Sequence, residues 1–231
     1  MRKGVRKHFF NENYFEDIDT EEKAYWLGFI SADGCVSKSS EYNSYRLSIN
    51  LSIVDKNHLE KFRKAICAND IELQEYTSTK GFSNPNGSTT CRIVLNSLKL
   101  CTDLTKYYVH QRKSYDIEMP DINRDLIPHY LRGLFDGDGS YSCLYNSKKN
   151  RYRYLFEIVG ASEKLLRQVQ AYLLSVNITF HIYYRKGTNY IRLMSGSKRE
   201  ILKLIDLLYS DAHIYLDRKY EKINEIKSLA V

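Results

Sequence analysis

The chain has 231 residues, 43% hydrophobic and 27% charged, which is enough for packed cores and excludes a disordered polar segment. Its net charge of +7 is shared by both halves, so neither is a basic tail; this suits a polyanionic partner without demanding one. Five cysteines without a Cys-x-x-Cys pair argue against a zinc site or disulfide framework. No apolar run reaches the roughly 20 residues of a membrane span, and no signal-type stretch follows Met1, so an intracellular setting with no membrane partner is expected.

Residues 1–19 read as an N-terminal extension. Thr20 before Glu21-Glu22 has the composition of a helix start, with acidic residues where the macrodipole favours them. The apolar run Tyr25–Gly34 follows, with Gly28 inside it and Asp33-Gly34 at its end. Cys35–Ser37 predicts a short strand, Lys38–Ser44 a polar loop, and Tyr45–Ile53 a strand whose apolar and polar residues alternate. Asp55 stands at the N-cap position of a helix through His58–Phe62. A hairpin is predicted from Glu72–Thr77 and Cys91–Asn96 around Asn84-Pro85-Asn86-Gly87, then a helix over Leu98–Tyr107 and a closing Arg112-Lys113.

Residues 114–127, with Pro120, form the connection, and the series then repeats. Pro128 suits a first helical turn. Tyr130–Gly139 contains Gly133 and ends in Asp138-Gly139, 105 positions after the first copy. Ser140–Ser142, a loop over 146–150, the strand Tyr152–Gly160, a helix capped by Ser162, the hairpin Phe180–Arg185 and Tyr190–Met194, and the helix Lys198–Tyr209 follow, closing on Arg218-Lys219. Each half therefore reads α-β-β-α-β-β-α, in units 20–113 and 128–231. The fold class is α+β, two repeats about a pseudo-two-fold axis.

Glycine inside a helix costs about 1 kcal/mol relative to alanine, and an aspartate at a helix C-terminus opposes the macrodipole. Both repeats accept both costs. The simplest account is that Gly28 and Gly133 let the two helices pack backbone to backbone, bringing Asp33 and Asp138 together. Two such carboxylates repel, and a divalent cation relieves the repulsion; oxygen ligands without a Cys or His cluster point to magnesium or a similar ion.

These two motifs, Trp26–Gly34 and Leu131–Gly139, resemble those of the LAGLIDADG homing endonucleases in their single-chain, two-motif form. The resemblance implies motif helices packed at the centre and antiparallel sheets forming a DNA-binding saddle. It implies a monomer that hydrolyses both strands of a long, specific double-stranded DNA site, promoting mobility of its intron or gene. The last acidic residue of each motif, Asp33 and Asp138, binds the catalytic metal in that family, with the carbonyls of Ala32 and Gly137 beside it. The expected cofactor is Mg2+, replaceable by another divalent ion such as Mn2+, with Ca2+ as a non-catalytic substitute. The motif's earlier acidic position is Asp136 in the second copy but Ser31 in the first.

The same resemblance makes Lys113 and Lys219 the basic residues that screen developing charge, with Arg112 and Arg218 one register step away. Asp55 and Ser162 fall near a water-positioning site, a role that competes with helix capping. DNA contacts are expected from the polar strand faces: Arg46, Ser48, Asn50, Arg92, Asn96, Arg151, Arg153, Arg185 and Arg192. An RNA maturase assisting its host intron and a catalytically inactive DNA-binding regulator are the alternatives; the paired Asp and Lys favour cleavage.

Overall fold

The computed structural model describes residues 9–38, 44–79, 87–184 and 186–229. The first repeat contains α1 (Glu21–Asp33), β1 (Gly34–Lys38), β2 (Tyr45–Ser52), α2 (Lys56–Ala65), β3 (Gln74–Ser78), β4 (Ser88–Asn96) and α3 (Leu98–Lys106). The second contains α4 (Ile127–Asp138), β5 (Gly139–Asn146), β6 (Arg151–Gly160), α5 (Glu163–Ser175), β7 (His181–Tyr184), β8 (Ile191–Ser195), α6 (Lys198–Tyr209) and α7 (Asp217–Ser228). Each repeat builds a four-stranded antiparallel sheet, in the orders β1-β2-β4-β3 and β5-β6-β8-β7. Identical topology in the two halves is what an internal duplication requires.

Local chemistry explains the helix starts. Thr20 accepts a hydrogen bond from the Lys23 amide, Ser97 from Leu100, Ser162 from Leu165 and Ser197 from Glu200. The alternation in β2 places Leu47, Ile49 and Leu51 on the core side, where Cys91, Ile93 and Leu95 of β4 join them. Phe156 and Ile158 of β6 do the same with Ile191 and Leu193 of β8. Residues before α1 belong to this core as well: Tyr14, Phe15 and Ile18 are buried, and the Asn11 amide bonds the Ile66 carbonyl.

The motif helices α1 and α4 form the main contact between repeats. A Cβ on Gly28 would overlap the Tyr130 carbonyl and lie 2.9 Å from the Leu134 nitrogen. A Cβ on Gly133 would overlap the Tyr25 carbonyl and lie 2.7 Å from the Phe29 nitrogen. The glycines thus bring backbone against backbone, as their placement predicts.

Some boundaries differ. β5 runs to Asn146, well past the Ser140–Ser142 predicted from its sequence, and Asn150 turns the chain with a φ of 45°. Helix α7, which the repeat pattern does not anticipate, buries Ile223 and Ile226. The matching point of the first repeat carries only a 3-10 turn, Lys113–Tyr115. The predicted turn residues Asn84–Asn86, most of the 38–44 loop and Arg185 lie outside the described residues. Among the described residues no helix is long and apolar enough to cross a membrane.

Candidate functional site

Asp33 and Asp138 are the last residues of α1 and α4, and each is followed by the edge strand of its sheet. The close helix pairing carries one carboxylate to the other. A Cβ on Gly137 would overlap Ala32 and lie 3.3 Å from the Asp33 Oδ2 atom, so Asp33 rests against the end of α4. Neither carboxylate makes a hydrogen bond or ion pair among the described residues. Burial raises the Asp33 carboxyl above its ordinary value, and the nearby Lys219 and Lys113 pull it partly back. Asp138 lies at the mouth of a concave site, open to water on one side. Burial by the surrounding protein, together with Asp33, still pushes its carboxyl up to about 6.

The two lysines complete the ends of the motif helices. Lys113 Nζ donates to the carbonyls of Ala32 at 3.3 Å and Gly34 at 2.7 Å. Lys219 Nζ donates to those of Phe135 at 2.9 Å, Gly137 at 3.0 Å and Gly139 at 2.7 Å. Helix C-termini leave carbonyls unpaired and carry partial negative charge, so an ammonium group fits there. Burial lowers both lysines, Lys219 to about 8. The choice between Lys and the adjacent Arg is thereby made for these carbonyls: Arg112 is exposed in a left-handed conformation, φ 65°, and Arg218 turns elsewhere.

Arg218 reaches across the molecule to Asp55, its Nε lying 2.8 and 3.0 Å from the two carboxylate oxygens. The expected N-cap bond from Asp55 is not made. Capping rules are local, whereas the cation that claims this carboxylate is 163 residues away. Ser162 does cap α5, and its hydroxyl donates to the Ile117 carbonyl at 2.6 Å. It shares a cavity of about 340 Å³ with Lys113 and Asp138. The surroundings of Asp33 and Asp138 are therefore unequal: an ion pair stands near one and a neutral hydroxyl near the other. Asp55 is only 6% exposed, so Arg218→Ala leaves a buried carboxylate without its partner. We expect a loss of about 1–3 kcal/mol, read from urea unfolding, and recovery of much of it in Asp55→Asn/Arg218→Ala.

Two carboxylates without donors, both raised by burial and with Asp33 lifting the Asp138 carboxyl further, fit a hard divalent cation. Among the described residues no group of three or more His, Cys, Asp or Glu forms a cation cage. Protein would supply only part of the ligand shell, leaving positions for water and for the oxygens of a bound anion. The carbonyls of Ala32 and Gly137 already receive lysine hydrogen bonds, and each retains a second lone pair.

On the outer face of the first sheet, Arg46 pairs in register with Asn96 and Asn50 with Arg92. Gln74 of β3 extends this polar row beside Arg92, and a groove of about 970 Å³ runs over Arg46, Gln74, Arg92 and Asn96. Ser48 lies on this face but is buried, with its hydroxyl 3.4 Å from the Cys35 carbonyl. In the second sheet Arg151 and Arg153 are exposed. Arg192 is committed to Glu157, its Nε 2.8 Å from the carboxylate, so it presents no free charge. That face is also the more apolar of the two, carrying Leu155, Val159 and Met194 in neighbouring registers.

Sequence reasoning missed the buried polar cluster at the helix junction. Asp136 is fully buried and accepts from Tyr25 at 2.8 Å, Tyr209 at 2.6 Å and the Leu216 amide at 2.8 Å. The single Tyr25 hydroxyl proton goes to Asp136, so the His58 Nε2 at 3.0 Å must donate to that oxygen. His58 is held neutral, burial lowering it to about 3. The motif's acidic letter at Asp136 was visible, but its donors come from distant parts of the chain.

A family model described as "LAGLIDADG-like domain" matches residues 20–102 and 125–209. No curated protein matches the chain. Among solved structures, the meganuclease I-SmaMI bound to uncleavable DNA aligns at 17% identity over 89% of each chain, with a TM-score of 0.57. The LAGLIDADG homing endonuclease I-GzeII in complex with its DNA target aligns at 16% identity over 90% of this chain and 89% of that one, TM-score 0.59. I-LtrWI, of the same kind and bound to target DNA, aligns at 14% identity over 95% and 91%, TM-score 0.58. Identities this low speak for the fold. With both repeats matched separately by the family model, at the positions where the motif helices meet through their glycines, the chain belongs to the LAGLIDADG family.

Proposed function

We propose that the chain is a site-specific, divalent-metal-dependent endodeoxyribonuclease, active as a monomer, that cuts both strands of a long duplex and so promotes mobility of the intron or gene that encodes it. The observation carrying this reading is the unpaired pair Asp33 and Asp138, both raised by burial and each served by a buried lysine at the end of a motif helix. Units 20–113 and 128–231, joined by 114–127, would each contribute one carboxylate and one lysine.

Asp33 and Asp138 would hold the ions, and a magnesium ion bound there supplies a nucleophilic water and charge for the leaving oxygen. Lys113 and Lys219 keep a positive charge fixed beside the scissile phosphates, where negative charge develops. Asp55, paired with Arg218, and Ser162, which lines a cavity with Asp138, would order solvent. Arg46, Asn50, Arg92, Asn96, Arg151 and Arg153 would read base edges and phosphates from the sheet faces, Arg and Asn being suited to guanine and adenine. Arg192, held by Glu157, and the buried Ser48 would contribute little directly.

The test is selection of bound molecules from a randomised duplex library, followed by cutting of the selected duplex with and without Mg2+. Both strands should be cut only when metal is present. Affinity should fall steeply with salt, since phosphate contacts release counterions, and Arg46→Ala or Arg153→Ala should lower the salt slope by about 1 if it contacts phosphate. Binding of the selected duplex without cutting at any metal concentration indicates a regulator, and preference for the flanking intron RNA a maturase; either overturns the nuclease reading.

The cutting rate should follow a bell in pH. It should rise through about 6 as Asp138 loses its proton and fall above about 8 as Lys219 loses its own. Because proton and metal compete for the same carboxylates, raising Mg2+ should move the acid limb to lower pH. An acid limb independent of Mg2+ rules out metal binding at Asp138.

A further inference from the structure

The lysine of the second repeat is held in place by a device that the first repeat lacks. Arg132 and Asp136 lie one turn apart on α4, 1% and 0% exposed, and both face the segment between α6 and α7. Arg132 donates to the carbonyls of Leu208 at 2.9 Å and Ile214 at 2.8 Å, and to Glu21 at 2.7 Å. Glu21 also accepts the His213 amide at 3.1 Å. Asp136 takes the Tyr209 hydroxyl and the Leu216 amide. The Leu216 carbonyl in turn accepts the Lys219 amide at 3.0 Å, so α7 starts from a point that Asp136 fixes.

The positions equivalent to Arg132 and Asp136 in the first repeat, 105 residues earlier, are Leu27 and Ser31. Ser31 turns back to the Leu27 carbonyl at 2.8 Å. The Tyr130 hydroxyl lies near Ser31 but makes no hydrogen bond of normal geometry. The chain reaches Lys113 through left-handed turns at Tyr108 and Arg112 instead, and neither Leu27 nor Ser31 bonds that segment.

The geometry points to Arg132 and Asp136 as positioning residues for Lys219, acting on one of the two strand cuts only. This rests on the nuclease reading above, and it separates from a purely structural role: a cluster that merely holds the fold would slow both strands alike. Electrostatic influence supports the pairing of lysine with site. Lys219 is the strongest cationic neighbour of Asp33, and Lys113 of Asp138.

The experiment follows each strand of the selected duplex with its own end label. In Asp136→Ser, which installs the first repeat's residue, one strand should be cut about 100-fold more slowly, the order expected for a catalytic group displaced by about 1 Å. It should be the strand that Lys219→Ala silences, and the other should stay within about twofold of wild type. Asp136→Asn should cut both strands, because its amide oxygen can still accept from Leu216 while the Tyr209 hydroxyl turns to accept from the amide. If Asp136→Ser does not fold, Arg132→Lys, which keeps the charge but not the planar fork, should give the same bias. Equal slowing of both strands, or no slowing of either, overturns the proposal.

Hydrogen exchange provides a readout that needs no cutting. Exchange should accelerate across 208–220 in Asp136→Ser and stay unchanged across 107–117. Wild-type protein that cuts neither strand would overturn the nuclease reading, while unchanged exchange at 208–220 would overturn the clamp itself.

Discussion

Leucine at Gly28 or Gly133 should destabilise the chain severely, the largest loss of stability expected from any single substitution in the motif helices. Helix propensity alone favours the change by nearly 1 kcal/mol per site, so the expected sign is informative. Against it stands a Cβ that would lie inside a carbonyl of the opposite helix, with backbone rather than a movable side-chain tip as the obstacle. Relief requires α1 and α4 to separate along their length, which opens the main junction between repeats. Overpacking of a core costs about 1–3 kcal/mol, occasionally more, and a backbone clash belongs at or beyond the upper end. For a chain of this length that corresponds to a fall in melting temperature of roughly 10 °C or complete loss of a cooperative transition. Thermal melts followed by circular dichroism check this, and a stabilised Gly28→Leu protein would contradict the helix contact.

Asp33→Asn and Asp138→Asn should each abolish double-strand cutting while leaving specific DNA binding close to wild type, and both should raise stability. The pH dependence of the gain is determined by the sign of the shift. Asp138 has a folded value of about 6 against an ordinary 3.8, so folding favours its protonated form. Below about pH 4 both states carry the proton, and the asparagine variant should melt with wild type. As pH rises toward 6 the wild-type carboxylate becomes a liability, and above 6 the difference should level off. Solvent reaches Asp138, so the plateau is set at about 1 kcal/mol, or a few degrees of melting temperature. Mg2+ should add to the melting temperature of wild type by binding the native state, and the doubly substituted protein should lose that increment. Equal Mg2+ stabilisation in both would remove these carboxylates from the metal site.

Local signals read well from sequence because their causes are local. Alternation in Tyr45–Ile53, the serine and threonine caps, and the glycine inside each motif helix all map onto elements within a residue or two. What escaped was decided by partners far along the chain. Asp55 has the right spacing for a cap, yet Arg218 takes it. Arg192 looks like a free cation until strand register sets Glu157 within reach. Ser48 shares a strand face with the exposed Arg46 and Asn50 but is covered by the strands on either side. Helix α7 was hidden because the duplication suggested that both halves end alike. Which of Arg and Lys meets the motif-helix carbonyls at the end of each repeat depended on one step of register, and there the lysines bind.

The hydroxyl of Tyr25 and the carboxylate of Asp136 meet across the pseudo-two-fold axis, whereas their counterparts Tyr130 and Ser31 do not bond. The two repeats are therefore not interchangeable parts. A symmetric assembly of two second repeats would set Tyr130 of each against Asp136 of the other, giving every buried carboxylate a donor. An assembly of two first repeats would face tyrosine with serine on both sides and contain no buried anion at its centre. Cut between α3 and α4, the second unit holds both donor and carboxylate to pair with itself, whereas the first brings a donor and no carboxylate.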